Sequence, residues 1–248
     1  MATNGSTNSG STNSGSSNCG VFWYFELSGA CAGRLHSAEF PTQTSLVIEA
    51  GGNMTRPFNN WISKAGVSQD CAVITVDVSG NVLYRDQCRG TVSQVDLPAC
   101  DATSTGSGYI RVTITTPSVN ARSSGNGKYN KAAPIPKPLL SRNFKLSIDG
   151  LQDCQYVNSV TGLSVGKIAP SLTTQLKELR AADIRSWQQK GNSPKGGSLA
   201  YLSADMKTSI LTVDLSSMRI SNIVPAYPTN PNQQVSVGLQ ASAASLKC

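Results

Sequence analysis

The chain of 248 residues is poor in the groups that most enzyme sites need. It has one histidine, His36, and no C-x-x-C pair. A Ser–His–Asp or Cys–His site would have to be built around His36, and zinc sites need closely grouped ligands at spacings that this sequence lacks. Phosphate-binding-loop, zinc-protease and EF-hand motifs are missing as well. These absences predict that the protein is not an enzyme and has no catalytic, cofactor-binding or metal-binding residues.

Long apolar runs are missing too. A membrane-spanning helix needs about 18 consecutive apolar residues, and the sequence has no such run. Residues 1–18 form an Asn/Ser/Gly/Thr-rich repeat without an apolar stretch, so they predict a flexible tail rather than a secretory signal. We therefore expect a protein with no signal peptide and no transmembrane segment, made and kept in a cytoplasm.

The cysteines leave two interpretations open. One is that they are buried, reduced thiols that act as small apolar residues. The other is that disulfides form among the five in the first half, as in an exported protein. An odd count leaves at least one unpaired in either case. The seven are Cys19, Cys31, Cys71, Cys88, Cys100, Cys154 and Cys248.

A basic segment divides the chain. Residues 119–142 carry five basic residues and no acid, and residues 133–138 alternate proline in a way that favours extended geometry. Nucleic acid or an acidic protein face could use the charge, but a solvated linker is preferred because no recognition motif accompanies it. The predicted organisation is a tail 1–18, a first β domain 19–118, a basic Pro/Gly-rich linker 119–142 and a second β domain 143–248.

The two halves follow the same order of elements. Each opens with an alternating strand that ends in a glycine turn, has a second strand before a helix, and closes on another alternating run. In chain order these runs are 24–29, 44–49 and 110–116 in the first half, and 143–150, 171–176 and 235–240 in the second. Together with the high content of Gly, Ser, Thr and Asn, they predict a mainly β protein with an internal duplication.

Each half also carries a tryptophan in a short predicted helix. Trp61 follows Pro57, which suits a first helical turn, and both Trp61 and Trp187 precede a glycine four or five residues on that suits a helix end. Apolar residues three and four positions away place each tryptophan on a buried stripe. For the ambiguous stretch 172–190 we predict a strand up to about Leu179 and a helix from Ala181, by analogy with the first half.

A near-identical hexapeptide occurs in both halves. Residues 74–79 read ITVDVS and residues 211–216 read LTVDLS. We interpret them as the same strand of a duplicated domain, so they are expected on equivalent strands. Asp77 and Asp214 then have one structural role twice, rather than acting as a general acid and base.

The second half resembles the phage tail tube protein family. The resemblance lies in the opening strand 144–150, the stretch 156–163, the short helix Asp183-Ile184-Arg185-Ser186-Trp187 and the strands 208–216 and 219–225. The resemblance covers residues 143–228. The first half shares it through the order of elements that the two halves have in common. Two features depart from the family pattern: there are two domains, and Lys177-Glu178-Leu179-Arg180 replaces a Lys-Arg-Gly before the helix.

The resemblance implies a structural virion component. Its fold would be duplicated tail-tube-like β-sandwich or barrel domains, each with one short helix. Such a chain would assemble into a homo-oligomeric ring or tube, as tube, hub, adaptor or terminator, in a phage tail or contractile injection particle assembled in the cytoplasm. Partners would be sheath, baseplate or neighbouring tube proteins, with nucleic acid only as lumen cargo and no membrane insertion.

Two further expectations follow from the duplication. Three chains, each giving two domains, could form a pseudo-sixfold ring, with the linker spanning neighbouring ring positions; six chains with a second wall or deck, and a chain that caps a tube end, are the alternatives. The rival function is a non-catalytic β-sandwich binding module on a surface or secreted protein.

Overall fold

The computed structural model describes residues 20–64, 66–117, 122–166, 169–227 and 230–247. Over these residues the protein is mainly β, with 56% strand, 10% helix and two α-helices, as its alternating runs predict. The predicted tail, the first and last cysteines and the start of the predicted linker lie outside the described residues.

The elements of the first half and linker are numbered in chain order. They are β1 Val21–Leu27, β2 Ala30–Thr42, β3 Ser45–Ala50, α1 Arg56–Ile62, β4 Ser68–Asp77, β5 Val82–Asp96, β6 Cys100–Asp101, β7 Ser107–Gly108, β8 Ile110–Thr115, β9 Ser123–Ser124 and β10 Leu139–Leu140. Those of the second half follow the same numbering. They are β11 Phe144–Ile148, a 3₁₀ helix Asp153–Tyr156, β12 Ser159–Thr161, β13 Ser164–Gly166, β14 Ser171–Lys177, a 3₁₀ turn Glu178–Arg180, α2 Ala182–Gln189, β15 Lys195–Leu202, β16 Ser209–Val224, β17 Gln234–Gln240 and β18 Ala243–Lys247.

The first sheet is nearly barrel-shaped. Its strands run in the order β5-β4-β1-β2-β3-β8, and β8 returns to pair with β5. Neighbouring strands are antiparallel, and inward positions carry residues such as Phe25, Ile48 and Val112, whose exposed fraction is zero. A closed sheet leaves few free edges, so most backbone N–H and C=O groups of these strands are hydrogen-bonded within the first half.

The second sheet has the same pairing order but stays open. It runs β11-β15-β16-β17-β14-β12-β6, with β18 against β16. In both halves the first strand pairs with the strand after the helix, and that strand pairs with the next. That next strand pairs with the closing strand, which pairs with the strand before the helix. This shared order agrees with an internal repeat, although the duplication itself stays a prediction.

The two tryptophans occupy matching positions. Each is buried in its helix, and each indole N–H donates to a backbone carbonyl six residues further on. Trp61 Nε1 lies 2.9 Å from the oxygen of Val67, and Trp187 Nε1 lies 2.7 Å from that of Ser193. The predicted core role of both tryptophans is confirmed, as is the strand followed by a helix over residues 171–189.

The interpretation of the repeated hexapeptide is wrong. Ile74 lies on β4, the first strand after α1, whereas Leu211 lies on β16, the second strand after α2. By pairing, the counterpart of β4 is β15. The physical reason is that an alternating Thr/Val/Asp pattern is typical of many antiparallel strands. Val213 is buried in the main core, whereas Val76 is buried in a separate small cluster on the opposite face of β4 from Val73.

The halves pack as one body. From the first half, β6 pairs with β12 of the second sheet; from the second half, β13 pairs with β5 of the first. The Tyr201 hydroxyl donates to Pro98 O at 2.6 Å, and Ser63 Oγ donates to Leu246 O at 2.9 Å. Buried apolar residues of both halves form one continuous cluster. Strand pairings and the apolar core therefore both extend across the predicted division between residues 19–118 and 143–248.

The described part of the linker lies along the first half and is held there by ion pairs. Arg122 pairs with Asp86 at 2.9 Å, and Lys131 pairs with Glu26 at 2.8 Å; both carboxylates are buried. Tyr129 covers a small apolar cluster on the outer face of β4 and contacts the Tyr24 ring. Most of residues 122–140 are exposed, as the solvated-linker interpretation expects, and ion pairs with buried acids hold the segment along the first half. That the linker spans neighbouring ring positions stays a prediction.

Candidate functional site

The open edge of β11 is the candidate site. In the described residues its one strand neighbour is β15, whereas its counterpart β1 pairs with both β4 and β2. Asn143 O accepts from Leu202, and the N–H of Asp149 donates to β15, so odd-numbered backbone groups face that strand. The N–H and C=O of Phe144 and Leu146 consequently face the opposite edge.

A groove of about 650 Å³ runs along this edge. Its floor is apolar, with Leu146 and Ile148 from β11 and Val157 from the segment after the 3₁₀ helix. Its rim is polar, with Ser147 and Gln155 among the lining residues. Apolar floor, polar rim and outward-facing backbone groups together are what an added β-strand requires.

The 3₁₀ helix Asp153–Tyr156 lines the groove on the side opposite β11. It follows a turn at Gly150, whose φ of 73° is in the left-handed region, and it contacts β11. Asp153 anchors it to the N-terminus of α2, because one carboxylate oxygen accepts the N–H groups of Asp183 at 2.5 Å and Ile184 at 3.3 Å. Burial raises the pKa of Asp153, although these two hydrogen bonds oppose the rise. Asp153 therefore links the segment beside the groove to α2, and the buried Cys154 joins the same segment to the core.

A second surface feature lies beyond α2. Arg185 forms a nearly buried bidentate pair with Glu178, at 3.0 and 2.6 Å, and donates to the carbonyls of Pro225 and Ala226. These bonds fix a loop whose Tyr227 is 81% exposed. Sequence reasoning missed this cluster, because the carbonyls of Pro225 and Ala226 are 40 and 41 residues from Arg185 along the chain.

His36 is a surface residue. Its ring stacks on Tyr109 with centroids 3.9 Å apart, and its Nε2 lies 3.9 Å from a Glu49 oxygen. Half of its side chain is exposed. The geometry is that of a surface stacking contact on the outer face of the first sheet.

Asp77 and Asp214 have different roles, so the prediction of one role played twice is wrong. Asp77 closes the turn after β4 by accepting hydrogen bonds from Ser79 and Asn81, and these bonds, the Asn81 side chain first, lower its pKa. Asp214 lies inside β16 and forms an ion pair with Lys247 of β18. The difference follows from the different strands on which the two hexapeptides lie.

Cysteine and metal chemistry can be stated for the described part of the chain. Within it, no group of three or more His, Cys, Asp or Glu side chains could hold a metal ion. The five described cysteines are free: Cys31, Cys71, Cys88, Cys100 and Cys154. All but Cys31 are buried, which agrees with the interpretation as reduced, apolar residues. Neither helix in these ranges is long and apolar enough to cross a membrane.

Comparison with known proteins gives no assignment. No protein-family profile matches the sequence, and no curated protein matches it. The open edge of β11 and its groove are therefore the features that can indicate function.

Proposed function

We propose that the chain is a structural assembly protein that forms a ring or tube of a phage tail or contractile injection system, with the open edge of β11 as its joining surface. The observation that supports this is the contrast between β1, paired on both sides, and β11, paired with β15. An exposed strand edge is a template for pairing with another chain unless it is protected. A neighbouring copy that adds a strand there would complete the second sheet.

The groove suits a strand better than a loop. Its floor takes apolar side chains that alternate with the backbone bonds from Phe144 and Leu146, which is the pattern of β-strand addition. Repeated head to tail, such contacts give a ring if the rotation closes. The tube, hub, adaptor and terminator roles share this contact and differ in what stacks on the ring.

The number of chains per ring is part of the proposal. Three chains with two units each remain one arrangement, and six chains with a second wall or deck are the other. Since the linker packs on the first half of its own chain, it gives no support to the ring of three chains. The location proposed is a virion tail or injection particle assembled in the cytoplasm.

The test is the size of the particle and its dependence on the edge. Light scattering after size exclusion, with negative-stain images, should show rings, discs or tubes for the unaltered chain. Ser147→Lys combined with Gln155→Lys would bury two cations under an added strand and should leave monomers. The matched control is Ser216→Lys with Gln189→Lys, both exposed and away from the groove, and it should assemble normally.

A non-catalytic binding module is the second candidate, and the groove itself favours it. A volume of about 650 Å³ lies in the range of small-molecule and peptide sites. A stable 26 kDa monomer at high concentration would support this function and overturn assembly. Rings that persist in the doubly substituted variant would retain assembly but reject β11 as its edge.

A further inference from the structure

Cys71 and Cys88 face each other across two strands. They are directly opposite in the β4–β5 register, and their Sγ atoms are 3.2 Å apart. Directly opposed residues of an antiparallel pair have Cα atoms about 4.5–5.5 Å apart, which is inside the range of about 4.4–6.8 Å that a disulfide needs. The strands can therefore hold a bond between these two sulfurs without being rebuilt.

A pocket of about 300 Å³ lies on the outer face of the strands that carry the pair. Backbone alternation places its charged side chains, which include Arg85 and Arg89, on that face and the two cysteine side chains on the core face. The exposed fractions of Cys71 and Cys88 are 5% and 4%, so a reagent reaches the sulfurs when β4 and β5 open locally. Cys100 and Cys154, the other buried cysteines in the described part of the chain, do not line this pocket.

The proton distribution favours reaction at this pair. The hydrogen bond between the two thiols lowers the pKa of Cys88 and raises that of Cys71, because one sulfur keeps the proton that stabilises the other as thiolate. Burial instead raises the pKa of Cys100 to about 12 and that of Cys154 to about 11. The thiolate is the attacking form in disulfide exchange, so Cys88 is the expected nucleophile.

We propose that Cys71 and Cys88 form a reversible dithiol–disulfide site whose oxidant is a small-molecule disulfide. The Cys88 thiolate attacks one sulfur of that disulfide, and one small thiol leaves. Cys71 then loses its proton, its sulfur attacks Cys88 Sγ, and the second small thiol leaves. Two electrons pass to the small disulfide, which becomes two thiols, while the protein gains one Cys71–Cys88 bond. The site does not depend on the proposed assembly function.

The test uses the full chain, first reduced with dithiothreitol and then treated with oxidised glutathione. Peptide mapping by mass spectrometry should find one internal link, between Cys71 and Cys88, in a peptide pair that weighs 2 Da less than its two free thiol peptides. Dithiothreitol should restore both thiols. Cys154→Ser is the matched control and should form the same link, whereas Cys88→Ser should form none at Cys71.

Alkylation of the unaltered chain keeps the test independent of whether variants fold. If Cys71 and Cys88 remain open to alkylation after treatment, the site does not exist. Links from either cysteine to a different one, or a stable glutathione adduct that never gives way to the internal bond, would also overturn the proposal.

Discussion

The two halves of the molecule share one order of strand pairing, but the first sheet is closed and the second is open. The first closes its sheet through β1 and β2, and the linker covers part of its outer face through Tyr129 and Lys131. In the second half the first strand keeps an open edge, and a groove lies between this strand and a 3₁₀ helix. The comparison teaches that the same arrangement of strands and helix can be complete in itself or can present an edge to a neighbour.

The largest expected effect comes from the matching tryptophans. Trp61→Ala and Trp187→Ala each remove a buried ring and its hydrogen bond, and each should lower the free energy of unfolding by about 3–5 kcal/mol. Trp61 should cost more, because it also packs with Phe25 and Phe58. Urea unfolding followed by circular dichroism measures both.

Trp23→Ala is the control for these variants, since Trp23 is half-buried. It should cost clearly less than either helix variant. If one helix tryptophan could be replaced with a loss below about 1 kcal/mol, the two positions would not be equivalent core anchors.

The next largest difference between the halves is expected at Arg185 of α2 and Asn59 of α1. Arg185→Met leaves Glu178 and two backbone carbonyls without their donor, so it should cost about 3 kcal/mol. Asn59, also two residues before its tryptophan, makes one bond of 3.3 Å to Met54 O, so Asn59→Ala should cost about 1 kcal/mol.

Thermal and urea unfolding check this order. Arg185→Lys should recover little, because an ammonium group cannot form the bidentate pair. Equal costs for Arg185→Met and Asn59→Ala would show that the two helices are anchored alike, which contradicts the account.

The linker contact of the first half should have a smaller effect. Burial opposes ionisation of Glu26, but hydrogen bonds from Lys131 and Arg85 outweigh it and lower its pKa. Its stabilising contribution is therefore present above the ordinary glutamate pKa of about 4.3 and is lost as the pH falls through the lowered pKa. Lys131→Met should cost about 1–2 kcal/mol near pH 7 and reduce the loss of stability in acid.

Lys128→Met serves as the control for Lys131→Met, because Lys128 is an exposed linker lysine. Denaturant unfolding at a series of pH values from 7 down to about 3 measures both. If the two variants gave the same pH profile, the linker would not stabilise the first half through Glu26.

The smallest effect belongs to the anchor beside the groove. Asp153→Ala removes the acceptor for the first N–H groups of α2 and should cost about 1 kcal/mol. Hydrogen exchange should also quicken in the 3₁₀ helix Asp153–Tyr156. Asp153→Asn keeps an acceptor oxygen and should lose less; equal behaviour of both variants would count against the capping role.

Local pattern predicted much of the fold. Alternation located the first, pre-helix and closing strands of each half, and apolar spacing around Trp61 and Trp187 located the helices. Analogy with the first half separated the strand from the helix over residues 171–189. These features are local, so short stretches of sequence carry them.

What the sequence could not predict depends on contacts between distant residues. Alternation in the hexapeptides indicates a strand but not its place in the sheet. The pairing of Arg122 with Asp86 and of Lys131 with Glu26 joins the linker to strands far away in sequence, so charge counting alone could not predict these contacts. The groove arises because β11 and β12 do not pair, which no short motif reports.

Hydrogen exchange at β11 and β1 tests the central claim most directly. Amides would be compared between monomeric and assembled fractions of the unaltered chain. The account predicts that the amides of Phe144 and Leu146 exchange about tenfold or more slowly in the assembled fraction, because a neighbour's strand covers them, while those of β1 change little. Assembled particles in which β11 exchanges as fast as in the monomer would contradict it.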